Sequence, residues 1–150
     1  MSEKDHYWMQ KALALARNAE AQGEVPVGAI IVLDDQIIGQ GWNQPIASQD
    51  ATAHAEIVAL RQACQTMQNY RLPGSEIYIT LEPCMMCAGA LVHARIARCI
   101  YATAEPKTGA AGSCIDAFAL PNLNHRVECT ANVLKEESSQ LIKNFFRARR

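Results

Sequence analysis

Two short segments carry residue types that could do chemistry together: His54-Ala55-Glu56 and Pro83-Cys84-Met85-Met86-Cys87. Cysteines at i and i+3 share one helix face, so both can present sulfur to a single ion. If a helix starts at Pro83, a favoured first-turn residue, both also sit where unpaired N–H groups and the helix dipole favour thiolate. A thiolate pair is a soft donor set suited to zinc. One imidazole more makes three protein ligands and leaves the fourth position open for water, the catalytic rather than the closed structural arrangement. His54 is the candidate. His93 is nine residues from Cys84, about 180° round the same helix. His6 and His125 have no ligand at a useful spacing.

Charge counting gives Glu56 a role. Zinc, two thiolates and a neutral imidazole make a formally neutral shell, which acidifies its water less than three imidazoles would. Such a site benefits from a general base, and Glu56 can supply one. Positions 54 and 56 lie about 200° apart on an ideal helix, so both reach one site only if the helix end points at it. Two other classes use parts of the pattern. A dithiol redox protein would use Cys84 and Cys87 alone. A zinc-stabilised RNA-binding protein would need a fourth protein ligand and has no use for Glu56.

The elements that must position these residues follow from periodicity. Ser2 and Asp5 resemble a capping box opening a helix with Trp8, Ala12, Leu15, Ala16 and Ala19 on one face and a stop at Gly23. Val27–Leu33 and Ile37–Trp42 read as strands joined by a turn at Asp34-Asp35. Residues 43–52 read as a loop. A helix is expected over 53–67 with Ile57, Leu60 and Cys64 inward, a break at 72–75, and a strand at 77–81. A helix from Pro83 to about Ala94, a strand at 99–103, a glycine-rich loop at 109–113 and a short helix at 116–119 come next. A short strand at 127–129 and a last helix from about Leu134 close the chain, the helix with Leu134, Leu141, Ile142, Phe145 and Phe146 on one side. Strands alternating with helices imply an α/β fold, a mixed sheet covered on both faces, and 150 residues suit one domain, 1–150.

With 49% apolar residues a core needs no disulfides. The N-terminus has no apolar signal region, and no run approaches the roughly 18 apolar residues of a membrane helix. The expected location is therefore cytoplasmic, where the six cysteines stay reduced and metal binding by some of them outranks a disulfide framework. Net charge is −1, yet residues 143–150 carry +4 and residues 1–142 carry −5. A basic ending on an acidic body either meets phosphates or complements a helix C-terminus.

Proline before the first cysteine, C-x-x-C, and an upstream His-x-Glu together resemble the signature of the zinc deaminases. More closely, the chain resembles the bacterial tRNA-specific adenosine deaminases of the cytidine-deaminase superfamily. Segments carrying the resemblance are Glu24-Val25-Pro26-Val27-Gly28-Ala29, Trp42-Asn43-Gln44-Pro45-Ile46, Ala53-His54-Ala55-Glu56-Ile57 and Thr80 to Ala90. Lys107 to Ser113, Asn124-His125-Arg126-Val127 and the ending Phe145 to Arg150 complete it. The resemblance implies a three-layer α/β/α sandwich with a five-stranded mixed sheet, and a homodimer with one Zn2+ per subunit on His54, Cys84 and Cys87. It implies Glu56 as proton shuttle and hydrolysis of adenosine to inosine at the wobble position of a tRNA anticodon. The partner is then a tRNA anticodon stem-loop, with neither a membrane nor DNA expected.

Asn43 matches a base-binding asparagine, though a turn-former after a strand has the same composition. Val27 matches a pocket-lining residue or is plain core. Lys107 and Arg147 match RNA contacts or are solvated cations. Ala104-Glu105-Pro106 departs from the pattern, which more often has aspartate at the acid position. The alternative reading is a deaminase of a free base or nucleoside (guanine, cytosine or cytidine), which would share the zinc motifs and have less use for Lys107 and the basic ending.

Overall fold

The computed structural model describes residues 2–149; Arg150, part of the basic ending, lies outside them. Helix α1 (Glu3–Ala21) starts as its sequence dictates: Ser2 is the N-cap and its Oγ accepts the Asp5 N–H at 3.1 Å. Strands β1 (Gly28–Leu33) and β2 (Gln36–Trp42) form the hairpin, with Asp34 and Asp35 at positive φ in its turn. A four-residue helix, α2 (Pro45–Ser48), interrupts the segment expected as loop. Proline at its start and the Glu24 carboxylate, which accepts the Ala47 N–H at 2.8 Å, explain why so short a turn holds. Helix α3 (Ala55–Met67), β3 (Glu76–Leu81), α4 (Met85–His93) and β4 (Arg98–Thr103) follow. A 3-10 turn (Ala117–Ala119), β5 (Glu128–Thr130) and α5 (Lys135–Arg147) complete the order.

The sheet order is β2-β1-β3-β4-β5. β1 is antiparallel to β2 and β3, whereas β3, β4 and β5 are mutually parallel. Alternation along the strands divides the core in two. Ala29, Ile31, Ile77, Ile79, Cys99 and Tyr101 pack with Ala55, Ala59, Ala63, Ala88 and Leu91 of α3 and α4. Ile30, Val32, Tyr78, Ile100 and Ala102 face the other way, onto Trp8, Met9 and Ala12 of α1 and onto Val133 just before α5. Burial on both faces explains why the strands read as apolar runs rather than alternating ones. The expected three-layer α/β/α sandwich with a five-stranded mixed sheet is what the chain forms.

Several local expectations are corrected. The inner face of α3 is Ala55, Glu56, Ala59, Leu60 and Ala63, with Ile57 and Cys64 half-buried. Small residues win because α3 lies close on β2: a Cβ on Gly39 would meet the Ala59 carbonyl at 2.4 Å. Pro83 precedes the N-cap Cys84 rather than occupying the first helical position. In α5, Phe145 is buried but Phe146 is exposed.

Candidate active site

The direction of the strands brings one set of chain segments to one end of the sheet. β1 begins there, and β2, β3 and β4 end there. The residues before β1, between β2 and α3, between β3 and α4, and after β4 therefore converge. A cavity of about 130 Å³ forms among them, lined by Val25, Val27, Asn43, His54, Glu56, Leu81, Glu82, Cys84, Glu105 and Thr108.

His54 is not a helical residue. It is the N-cap of α3, with extended backbone at φ −70°, ψ 154°. The ideal-helix angle between positions 54 and 56 thus does not apply, and both side chains line the same cavity. Cys84 is likewise the N-cap of α4, and Cys87 is its third helical residue. Two helix N-termini, with their free N–H groups and positive dipole ends, meet at the site.

Donor spacing tests whether a metal fits. His54 Nδ1 lies 3.6 Å from Cys84 Sγ and 3.5 Å from Cys87 Sγ. In a tetrahedral zinc site with Zn–S about 2.3 Å and Zn–N about 2.0 Å, that span is about 3.5 Å. All three donor atoms lie within 4.8 Å of one another, the only such His/Cys/Asp/Glu group among the described residues. The donor set fits zinc in identity and in spacing.

The titration behaviour follows from the same contacts. A hydrogen bond from the Cys87 thiol, and then one from His54, bring the Cys84 thiol down to about 4. The bond to Cys84, reinforced by burial, drives Cys87 the other way. The hydrogen bond to Cys84 raises His54. Glu56, buried in the first turn of α3, is pushed up to about 7 by desolvation. A carboxylate tuned there can take or give a proton at neutral pH.

The remaining sequence candidates occupy distinct places. Asn43 lines the cavity, and its Oδ1 accepts the Ala55 N–H at 3.0 Å, holding the mouth of α3. Its Nδ2 donor is what it retains for a ligand. Val27 is buried against the cavity, and its carbonyl accepts the Asn43 N–H at 3.0 Å, which ties these two residues together. Lys107 is exposed in the loop after β4, and its N–H donates to Glu105 Oε1 at 3.0 Å. Arg147 is exposed and lines a separate depression with Ile142, Lys143 and Phe146.

Sequence reasoning counted Arg149 only within the basic ending and gave Glu82, with Pro83, a part in shaping the helix entry, whereas its carboxylate holds the loop after β4. Arg149 lies over the Phe145 ring at 3.6 Å. It lines a groove with Gly23, Glu24, Val25, Asn43, Pro45 and Ile46 that adjoins the cavity through Val25 and Asn43. Its proximity to Phe145 at helical spacing was the available signal. Glu82 is buried; burial pushes its carboxyl up, but hydrogen bonds from Ser113 and from the 105, 111 and 113 amides outweigh that and leave it lowered. The other histidines serve elsewhere: the His125 ring pairs with the Ile96 carbonyl at 2.7 Å, and His93 lines an outer groove with Met85 and Leu123.

Comparison with known proteins places this geometry. Residues 3–150 match the model of the MafB19-like deaminase family. The chain is 52% identical to the tRNA-specific adenosine deaminase of Haemophilus influenzae over 150 residues, covering 99% of this chain and 87% of that protein. It is 41% identical to the tRNA-specific adenosine deaminase of Agrobacterium fabrum, covering 100% and 98%. A solved structure from biochemical and structural studies of A-to-I editing by tRNA:A34 deaminases superposes with a TM-score of 0.87 at 41% identity, covering 90% of this chain and 98% of that one. The chain belongs to the family of the tRNA-specific adenosine deaminases.

Proposed function

We propose that this chain hydrolyses adenosine to inosine and ammonia at the wobble position of a tRNA anticodon. The observation that carries the reading is the donor triangle of His54, Cys84 and Cys87, at a zinc-like span, beside the desolvated Glu56 in one small cavity. Bound by those three residues, one Zn2+ per subunit supplies the Lewis acidity that makes a water nucleophilic at neutral pH. Glu56 would take a proton from that water as its oxygen adds to C6, deliver it to the adjacent ring nitrogen, and pass the second proton to the amine as the C6–N bond breaks, which is the established chemistry of zinc deaminases. Asn43 donates from Nδ2 to a ring-nitrogen acceptor, and Val27 packs against the base. The cavity, about 130 Å³, is small for a whole nucleotide and opens through Val25 and Asn43 onto a groove, an arrangement that suits a base inside with sugar and phosphate outside. An anticodon loop offers unpaired bases at low extrusion cost. Lys107 and Arg147, both exposed cations, meet its phosphates.

The same reading makes the protein a single 1–150 domain that works in the cytoplasm with its tRNA. Among the described residues no helix is long and apolar enough to cross a membrane. It also makes the chain a homodimer: Met85 and Leu120 are exposed, and they line one groove with Val92 and Leu123. Equilibrium sedimentation of the zinc-loaded protein checks this, with a monomer overturning it.

The direct test offers the zinc-loaded protein an anticodon stem-loop with adenosine at the wobble position, alongside free adenosine, guanine, cytosine and cytidine. Conversion of the stem-loop alone supports the assignment. Turnover of a free compound instead keeps the zinc chemistry and removes the RNA. Retained turnover in a zinc-loaded Glu56→Ala protein refutes the proton-shuttle role.

A further inference from the structure

Glu82 is buried directly after β3, two residues before the first cysteine ligand, and its own N–H donates to the Thr103 carbonyl at 2.9 Å. Its carboxylate is bonded into the loop that follows β4. Oε1 accepts the Glu105 N–H at 3.0 Å and the Ser113 hydroxyl; Oε2 accepts the Ala111 N–H at 2.9 Å and the Ser113 N–H at 3.1 Å. The next carbonyl, that of Pro83, accepts the Ala110 N–H at 2.8 Å. No regular strand or helix pairing holds residues 104–113. Beyond its own turns and an isolated bridge from Ala111 to Asp116, the loop closes on this side chain with four bonds.

Two observations show that the wrapping is close and that it bears on the cavity. A Cβ on Gly109 would stand 2.4 Å from the Glu82 carboxyl carbon, so only glycine lets the loop seat there. Glu105 and Thr108, from the held segment, line the cavity together with Val27, Asn43 and Glu82 itself. Lys107 projects from between them, and its amide is pinned to Glu105 Oε1. A carboxylate that accepts several N–H and O–H donors fixes backbone positions more firmly than neutral acceptors do, because charge-assisted bonds are roughly twice as strong.

We propose that Glu82 is a positioning residue for the substrate: its carboxylate anchors the 105–113 loop so that Glu105, Lys107 and Thr108 form a preset rim for the polynucleotide around the target base. This rests on the tRNA deaminase reading. It separates two jobs within one stretch of chain, with Cys84 and Cys87 serving the metal and Glu82 serving the rim. Removing the anchor therefore affects substrate engagement before it affects chemistry.

The test uses the full zinc-loaded chain and its Glu82→Gln variant, which keeps the volume but turns one acceptor oxygen into a donor. Amide hydrogen exchange across 105–113 should accelerate at least ~10-fold, the KM for a wobble-adenosine stem-loop should rise by about tenfold, and kcat should stay within about threefold, with zinc content unchanged. Gly109→Ala, which pushes on the carboxylate from the opposite side, should shift exchange and KM in the same direction. Unchanged exchange in the folded Glu82→Gln protein overturns the anchor, and unchanged KM despite a loosened loop overturns its role in substrate engagement. Should Glu82→Gln not fold, Ser113→Ala decides, since it removes one hydroxyl donor only; a smaller shift of both quantities upholds the proposal, and no shift overturns it. If the wild type does not act on the stem-loop, the deaminase reading falls, and faster exchange in the variants still upholds the anchor.

Discussion

Asp5 and Glu56 are both buried carboxylates, 2% and 4% exposed, and they sit at opposite ends of the same sheet. Asp5 meets the Arg98 guanidinium at 2.7 Å and accepts the Tyr78 hydroxyl at 2.9 Å; Arg98 in turn reaches Glu76 at 3.1 Å. Burial pushes the Asp5 carboxyl up, but Arg98 and Tyr78 outweigh it and the net direction is down. At Glu56 desolvation outweighs the hydrogen bonds of its own amide and of Cys87 and the charge of His54, and the carboxyl rises to about 7. The same side-chain class at the same depth is thus a compensated anion at one end and a carboxyl raised toward neutrality at the other. Burial alone does not single out a carboxylate for proton transfer; burial that neighbouring donors and charges leave uncompensated makes it a candidate.

That contrast can be broken by exchange of chemistry at each end. The largest effect is expected at Glu56: Glu56→Gln should lower turnover of the zinc-loaded protein by at least ~10³-fold with zinc retained, and the metal-free variant should have thermal stability equal to or above the metal-free wild type. A fall in Tm would mean that Glu56 is compensated after all. Next, Arg98→Met leaves Asp5 buried without its cation. Urea denaturation should show a loss of about 2–3 kcal/mol, below the ~3–5 of fully enclosed pairs because 27% of the Arg98 side chain remains exposed. The double variant Asp5→Leu/Arg98→Met should recover most of that loss, and failure to recover would locate the cost outside the pair.

The smallest effect is a pH dependence. Because the folded Asp5 lies below its ordinary 3.8, its stabilisation is complete above that value and is lost as pH falls through the folded value. Stability of wild type minus Asp5→Asn, followed by denaturant titration from pH 6 downward, should be flat at first and shrink only below about pH 4. A difference that shrinks between pH 6 and 5 would contradict the assigned direction.

The parts of this molecule that the sequence announces are those whose logic is local. Cys84 and Cys87 declare a shared ligand by i, i+3 spacing, and Ser2 declares a helix start within three residues. His54 needed the helix boundary as well, since it reaches the sulfurs only as an N-cap outside the helical phase. The parts that were illegible depend on partners far along the chain. Arg98 meets Asp5 across 93 residues, and Glu82 holds Ala111 and Ser113 across 29 and 31. No periodicity encodes such pairs. The inner face of α3 was misjudged for a related reason: apolarity favoured Ile57 and Cys64, whereas the close approach of Gly39 selected Ala59 and Ala63. The direction of β5 was also out of reach, because three residues carry no orientation of their own.

That direction has a practical consequence for handling the protein. Running parallel to β4, β5 delivers the chain to the cavity end of the sheet, where Ser138 Oγ–H donates to the Thr80 carbonyl and α5 continues until Arg149 lies beside Asn43. The start of α1 is held at the far end by Asp5 on Arg98, which also pairs with Glu76. A fluorophore, affinity handle or tethered partner joined ahead of α1 therefore stands clear of the groove. The same cargo joined behind α5 stands over it and competes with whatever docks there.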